Sequence, residues 1–203
     1  MNREAREQSI IRGLLERIDD SSEVDQRTLS EELGIALGMT NAYVKRCVKK
    51  GWIKVKQVPA RRYRYYLTPK GFAEKTRLTA QFFSDSLTFF RRARQSFTRL
   101  YGELAADGRR RVVLCGVDDL TEIAILCALD HTIEVVGVFD PEGLSGTMYG
   151  IPPVRPDQAI EADAWVLAVN HDAAKTYRLV GETVGPEWVV VPDILARMVA
   201  RPS

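Results

Sequence analysis

Residues 40–68 read TNAYVKRCVKKGWIKVKQVPARRYRYYLT, and the fold of the N-terminal half follows from this stretch. Thr40 is a favoured N-cap residue and Gly51 a favoured residue just past a helix end. The spacing therefore predicts a helix over Asn41–Lys50. From Trp52 to Val58 apolar and polar side chains alternate, the period of a half-buried strand. Pro59-Ala60-Arg61-Arg62 reads as a turn and Tyr63–Thr68 as the returning strand. A short helix followed by a basic hairpin is the closing half of a winged helix.

Toward the N-terminus, a helix starting near Asp25 or Gln26 runs through Leu29 and Leu33 to Gly34, and Ile35–Met39 reads as a short turn. Before it, Ile10, Ile11, Leu14, Leu15 and Ile18 give an apolar face to a helix over Arg3–Ile18. Two short helices joined by a tight turn form a helix-turn-helix, whose second helix enters the major groove. On that helix Val44, Cys47 and Val48 are expected to face inward. Thr40, Asn41, Lys45, Arg46, Lys49 and Lys50 are candidate DNA-binding residues. Asn41 and Arg46 can make paired hydrogen bonds to adenine and guanine edges, whereas Lys49 and Lys50 suit phosphate. Arg61, Arg62 and Arg64 at the hairpin tip are placed for the minor groove or its phosphates.

Charge supports this reading. Residues 1–110 hold 23 Lys and Arg against 13 Asp and Glu, and residues 111–203 hold 6 against 14. From Leu33 to Ala73 there are ten Lys or Arg and no carboxylate. A surface built only for solubility mixes both signs, so this run is an electrostatic footprint for duplex DNA. No apolar run approaches the ~18–20 residues of a membrane span, and the N-terminus lacks an apolar signal core; a cytoplasmic protein without membrane contact is expected. Cys47, Cys115 and Cys127 match no zinc spacing, and neither His131 nor His171 has a companion ligand, so no metal site is expected.

The run Leu33–Ile35, then Val44–Ile53, then Tyr66–Gly71 resembles the MarR-type winged-helix regulators of bacteria. Leu67-Thr68-Pro69-Lys70-Gly71, leading into a long helix, is similar to the branch found with exopolysaccharide genes. The likeness spans about residues 8–80 and implies operator binding; Cys47 stands where that family usually has Leu. From Lys70 to about Asp107 the pattern predicts one long helix or two abutting ones, with more apolar surface than a lone connector tolerates in water. Pairing with a second subunit is expected, giving a homodimer on a palindromic operator. The implied domains are residues 1–75, a connecting and dimerisation segment 76–109, and residues 110–203.

In the C-terminal half strands alternate with helices: Arg111–Cys115, Asp118–Leu129, Ile133–Phe139, Ala164–Val169, Asp172–Thr183, Trp188–Val191 and Pro192–Val199. Val-rich strands alternating with helices predict an α/β Rossmann-like parallel sheet, joined here to an α+β winged helix. Ligands of such sheets bind at the strand C-termini, which makes Gly116, Asp140, Asn170 and His171 the candidate ligand-binding residues. The dinucleotide glycine fingerprint stops after Gly116, where Asp118 and Asp119 follow.

Gly116, Val136-Gly137-Val138-Phe139-Asp140 and Gly150-Ile151-Pro152-Pro153-Val154 resemble the Rossmann-like N-terminal domain of bacterial sugar acyltransferases. That domain is also similar to CoA-binding and Rex-type redox-sensor domains. The resemblance implies a nucleotide-sugar or other nucleotide-like effector. The hexapeptide repeats and histidine base of the acyltransferases are absent, and no nucleophile–base set stands out, so the chain is expected not to be an enzyme. The alternatives are a C-terminal domain that only oligomerises, or a nucleotide-sugar enzyme.

Overall fold

The computed structural model describes residues 3–58, 62–141, 143, 146–155 and 160–200. Its first unit opens with α1 (Arg3–Asp20), α2 (Gln26–Glu32) and α3 (Leu37–Lys49). The hairpin β1 (Ile53–Val58) and β2 (Arg62–Leu67) follows, antiparallel, with Ile53 opposite Leu67 and Val58 opposite Arg62. Leu14, Leu15, Ile18, Leu29, Val44, Cys47, Ile53, Tyr65 and Leu78 form its core. This is a winged helix. α2 starts where the sequence places it, near Asp25 or Gln26, and the Asp25 side chain caps it by accepting the Thr28 N–H at 2.8 Å.

α3 starts four residues earlier than the spacing predicts. Ala36, not Thr40, is the N-cap residue, and it offers no side-chain cap. Thr40 lies inside the helix, fully buried, with its hydroxyl directed at the Ala36 carbonyl at 3.4 Å. Its preference for cap positions is overridden by its place on the buried side of the helix. Gly51, with φ +74°, ends the helix as predicted, and its N–H donates to the Val48 carbonyl.

A single helix, α4 (Pro69–Ala106), spans the stretch expected to be one long helix or two abutting ones. Its start explains the Leu-Thr-Pro-Lys-Gly motif. The Thr68 hydroxyl lies 2.6 Å from the Gly51 carbonyl and accepts the Gly71 N–H at 3.0 Å, tying the helix to the root of β1. A Cβ on Gly71 would come within 2.0 Å of the Trp52 carbonyl oxygen, so only glycine fits there. The chain divides into compact units at Leu87 and Thr88, within α4. Leu78 belongs to the first core, and Ala93, Phe97, Leu100, Tyr101 and Leu104 to the second.

The second unit continues with β3 (Arg111–Cys115), α5 (Asp119–Leu129), β4 (Glu134–Phe139), β5 (Pro153–Val154), β6 (Ala164–Leu167), α6 (Ala173–Val184), a short 3-10 turn, β7 (Val189–Val190) and α7 (Asp193–Val199). All five strands are parallel, in the order β5-β4-β3-β6-β7. This is the Rossmann-like arrangement, in which the order reverses between β3 and β6. β5 has no strand signature in the sequence, being two residues long and partly proline. It accounts for two of the motifs quoted above: Val154 lies against Gly137, where a Cβ would come within 2.2 Å of the valine side chain.

Candidate nucleic-acid interface

On α3 the residues 38, 41, 42, 45 and 49 recur at helical spacing, and they form the side opposite the buried Thr40, Val44 and Cys47. Gly38, Ala42, Lys45 and Lys49 are exposed and Asn41 is half-buried. Two of these, Gly38 and Ala42, carry no chemical signal in the sequence that marks them as site residues. A side chain on Gly38 would meet nothing within 4 Å, so nothing inside the protein requires glycine there. The small pair leaves a smooth strip beside Asn41 and Lys45, which lets the backbone come close to an opposing surface. Val48, expected inside, is 38% exposed. At about 100° of turn per residue it stands about 40° beyond Val44, on the side away from Cys47, and so falls on the flank of the inner stripe.

Arg46 points elsewhere. Its guanidinium is ion-paired with Glu7 of α1. Lys50 lies over the Trp52 ring at 5.8 Å, and its neighbour Lys49 is exposed. Thr40, being buried, does not reach the surface at all, which corrects its assignment to DNA.

In the hairpin, Lys54, Lys56 and Arg64 alternate onto one face with Tyr66, and Lys56 is directly opposite Arg64. Like charges set cross-strand destabilise a hairpin in water, so this face gains from a polyanion. Lys54 and Lys56 are candidate site residues that composition counts but local position does not single out; the cross-strand register is the signal that finds them. Arg64 is ion-paired with Glu23. Arg61 lies outside the described residues, and the side chain of Arg62 is not described. The hairpin is anchored through Tyr65, whose N–H donates to the Ser22 carbonyl at 3.1 Å and whose hydroxyl lies 3.0 Å from Gln26 Nε2. Burial pushes the Cys47 thiol up to about 11, which keeps it protonated and inert beneath the helix.

In the second unit, Gly116 and Asn170 flank the reversal of strand order. Asp118 joins them. One of its carboxylate oxygens accepts the Leu120 N–H at 2.8 Å and the other accepts the Asn170 N–H at 2.7 Å. The carboxylate therefore covers the amides at the start of α5, where a Rossmann fold usually places phosphate. Gly116 serves packing: a Cβ there would come within 2.2 Å of Val169. The His171 ring nitrogen is 3.7 Å from Asp118, and its side chain is 87% exposed. Asp140 follows the end of β4, with Gly143 N–H donating to its carbonyl. Burial raises the Cys115 and Cys127 thiols above the ordinary range. Among the described residues no group of three or more His, Cys, Asp or Glu side chains could hold a metal ion. No helix among them is long and apolar enough to cross a membrane.

The first unit is thus a winged helix-turn-helix DNA-binding domain. Residues 8–54 match a family model described as winged helix-turn-helix DNA-binding, which covers α1 to the start of β1. No curated protein matches the chain. A similar solved structure is human N-acetylserotonin methyltransferase in complex with SAM. It is 13% identical, with 96% of this chain and 78% of that chain covered and a TM-score of 0.30.

Proposed function

We propose that this protein is a homodimeric, non-enzymatic transcriptional regulator of the MarR type that acts in the cytoplasm on a palindromic operator. The observation that carries the proposal is the carboxylate-free strip of Gly38, Asn41, Ala42, Lys45 and Lys49 on α3, with the basic face of the hairpin in the same domain. Asn41 reads base edges, Lys45 and Lys49 hold phosphate or guanine, and Lys54, Lys56 and the wing arginines Arg61, Arg62 and Arg64 bind the flanking backbone. Lys50 adds to the phosphate contacts. Arg46, anchored to Glu7, sets the pose of α3.

The Rossmann-like unit receives a nucleotide-like effector over Gly116, Asp140, Asn170 and His171. Because Asp118 already fills the amides at the start of α5, such a ligand is held through ribose and sugar hydroxyls rather than through phosphate. The same Asp118 bridge favours a second reading, in which this unit binds no small molecule and only assembles the dimer. Control of surface-polysaccharide genes follows from the Leu-Thr-Pro-Lys-Gly resemblance.

The test is to sequence the genomic fragments the full chain retains, then to titrate one enriched duplex and a scrambled duplex across salt concentrations. Enrichment of one palindromic motif, bound at least tenfold more tightly than the scrambled duplex, is the expected result. Equal binding to all fragments would sink the regulator reading.

A further inference from the structure

Direct readout of a base pair needs a side chain matched to its edge, and α3 holds few. Cytosine calls for a carboxylate acceptor, and there is none between Leu33 and Ala73. The guanidinium on α3 able to pair with guanine, that of Arg46, is engaged by Glu7. Thr40 is buried and Tyr43 packs against the core of the domain. Lys45 and Lys49 are flexible point charges, suited to phosphate as much as to guanine. What remains is Asn41, whose amide makes no hydrogen bond among the described residues, and the methyl group of Ala42 beside it. Ala42 is exposed and stands about 170° of turn from the middle of the buried Thr40–Val44–Cys47 stripe, so its methyl points straight out of the domain. Gly38, four residues earlier, has no side chain to hold a base edge away from that methyl.

We propose that α3 reads A·T pairs: Asn41 bonds the N6 and N7 of an adenine, and the Ala42 methyl packs on the C5-methyl of a thymine in a neighbouring pair. The proposal rests on the DNA-binding reading above and names the bases this helix selects. The thymine methyl is the one apolar group that base edges show in the major groove, so an outward alanine there has no other base-specific partner. Arg46 takes no part in the selection, because its charge is spent on α1. Removing one methyl from water is worth a factor of about four in affinity for each half-site.

The test uses the full chain and the duplex enriched in the genomic selection, once in ordinary form and once with every thymidine replaced by deoxyuridine, which removes only the C5-methyl. The readout is the ratio of the two affinities, for wild type and for Ala42→Gly. Taken within one protein, the ratio is insensitive to any folding lost to the glycine. Wild type is expected to bind the uracil duplex at least about fourfold more weakly, and Ala42→Gly to bind both duplexes alike. Returning thymines one at a time should recover the loss at one position in each half-site. A wild-type ratio near one, or an equal loss in both proteins, would overturn the Ala42 contact and leave the regulator reading standing. An enriched motif made only of G·C pairs would do the same. If no motif is enriched at all, the regulator reading fails and this inference with it.

Discussion

The Asp163 carboxylate accepts the N–H groups of Arg110 and Arg111 through one oxygen, each at 2.8 Å, and so fixes the start of β3 beside β6. These backbone hydrogen bonds hold its pKa below the ordinary carboxylate value. A depressed folded pKa stabilises above the unfolded pKa, and the gain is lost as pH falls through the folded one. Asp163→Ala should therefore lower the melting temperature at neutral pH, with the gap to wild type closing as pH falls through and below the ordinary carboxylate range; a constant gap would mean the carboxylate charge is irrelevant. Tyr101 is the opposite case. Its hydroxyl is buried with no partner among the described residues, and burial raises its pKa. Tyr101→Phe is expected to leave stability unchanged or raise it by about 1 kcal/mol in urea titrations. At the DNA strip, Asn41→Ala should cost roughly 1–3 kcal/mol of discrimination between operator and scrambled duplex. Arg46→Ala should weaken both duplexes alike, because its side chain is held on Glu7.

Among the elements, α5 and the hairpin carry the clearest expectations. The Thr121 hydroxyl lies 2.9 Å from the Gly116 carbonyl and 2.8 Å from that of Ala168, and it accepts the Asp118 N–H at 3.1 Å. One buried side chain thus caps its own helix and joins the ends of β3 and β6. Thr121→Val keeps the shape and strands those carbonyls, so a loss of about 1–3 kcal/mol is expected in equilibrium unfolding. In the hairpin, Lys54 and Lys56 share a face, and Lys56 faces Arg64 across the strands. Replacing Lys54 and Lys56 with Ala should weaken binding to every duplex and reduce the salt slope by up to about 0.9 for each phosphate no longer neutralised. An unchanged slope would remove the hairpin from the interface.

For the whole molecule, an effector must shift DNA affinity by the factor by which DNA shifts effector affinity. Nucleotide-sugars, CoA derivatives and dinucleotides titrated into the full chain by calorimetry, with and without operator, would measure both directions. A ribose-bearing ligand is expected to lose its heat of binding in Asp140→Ala. Silence from all three classes at about millimolar concentration, corresponding to weaker than roughly −4.1 kcal/mol, would favour the assembly reading.

What was legible in the sequence is what depends on neighbours a few residues apart. The helical spacing of Ile10, Leu14 and Ile18, the alternation after Trp52, the stop at Gly51 and the change to Val-rich strands after Arg110 each follow from local periodicity and backbone preference. The ten-cation run from Leu33 to Ala73 is likewise a property of composition. What only the tertiary structure decided involves partners far apart in the chain. Glu7 draws Arg46 aside, and Glu23 engages Arg64, 41 residues away. Asp118, which follows the point where the glycine fingerprint stops, reaches 52 residues to Asn170 and is a strut between two loops. Thr40 went into the core rather than to the cap because burial of that side of α3 outweighs a capping preference of about 1 kcal/mol. A charged side chain takes whichever partner the fold brings within a few ångströms, and that choice carries no periodic signature along the chain.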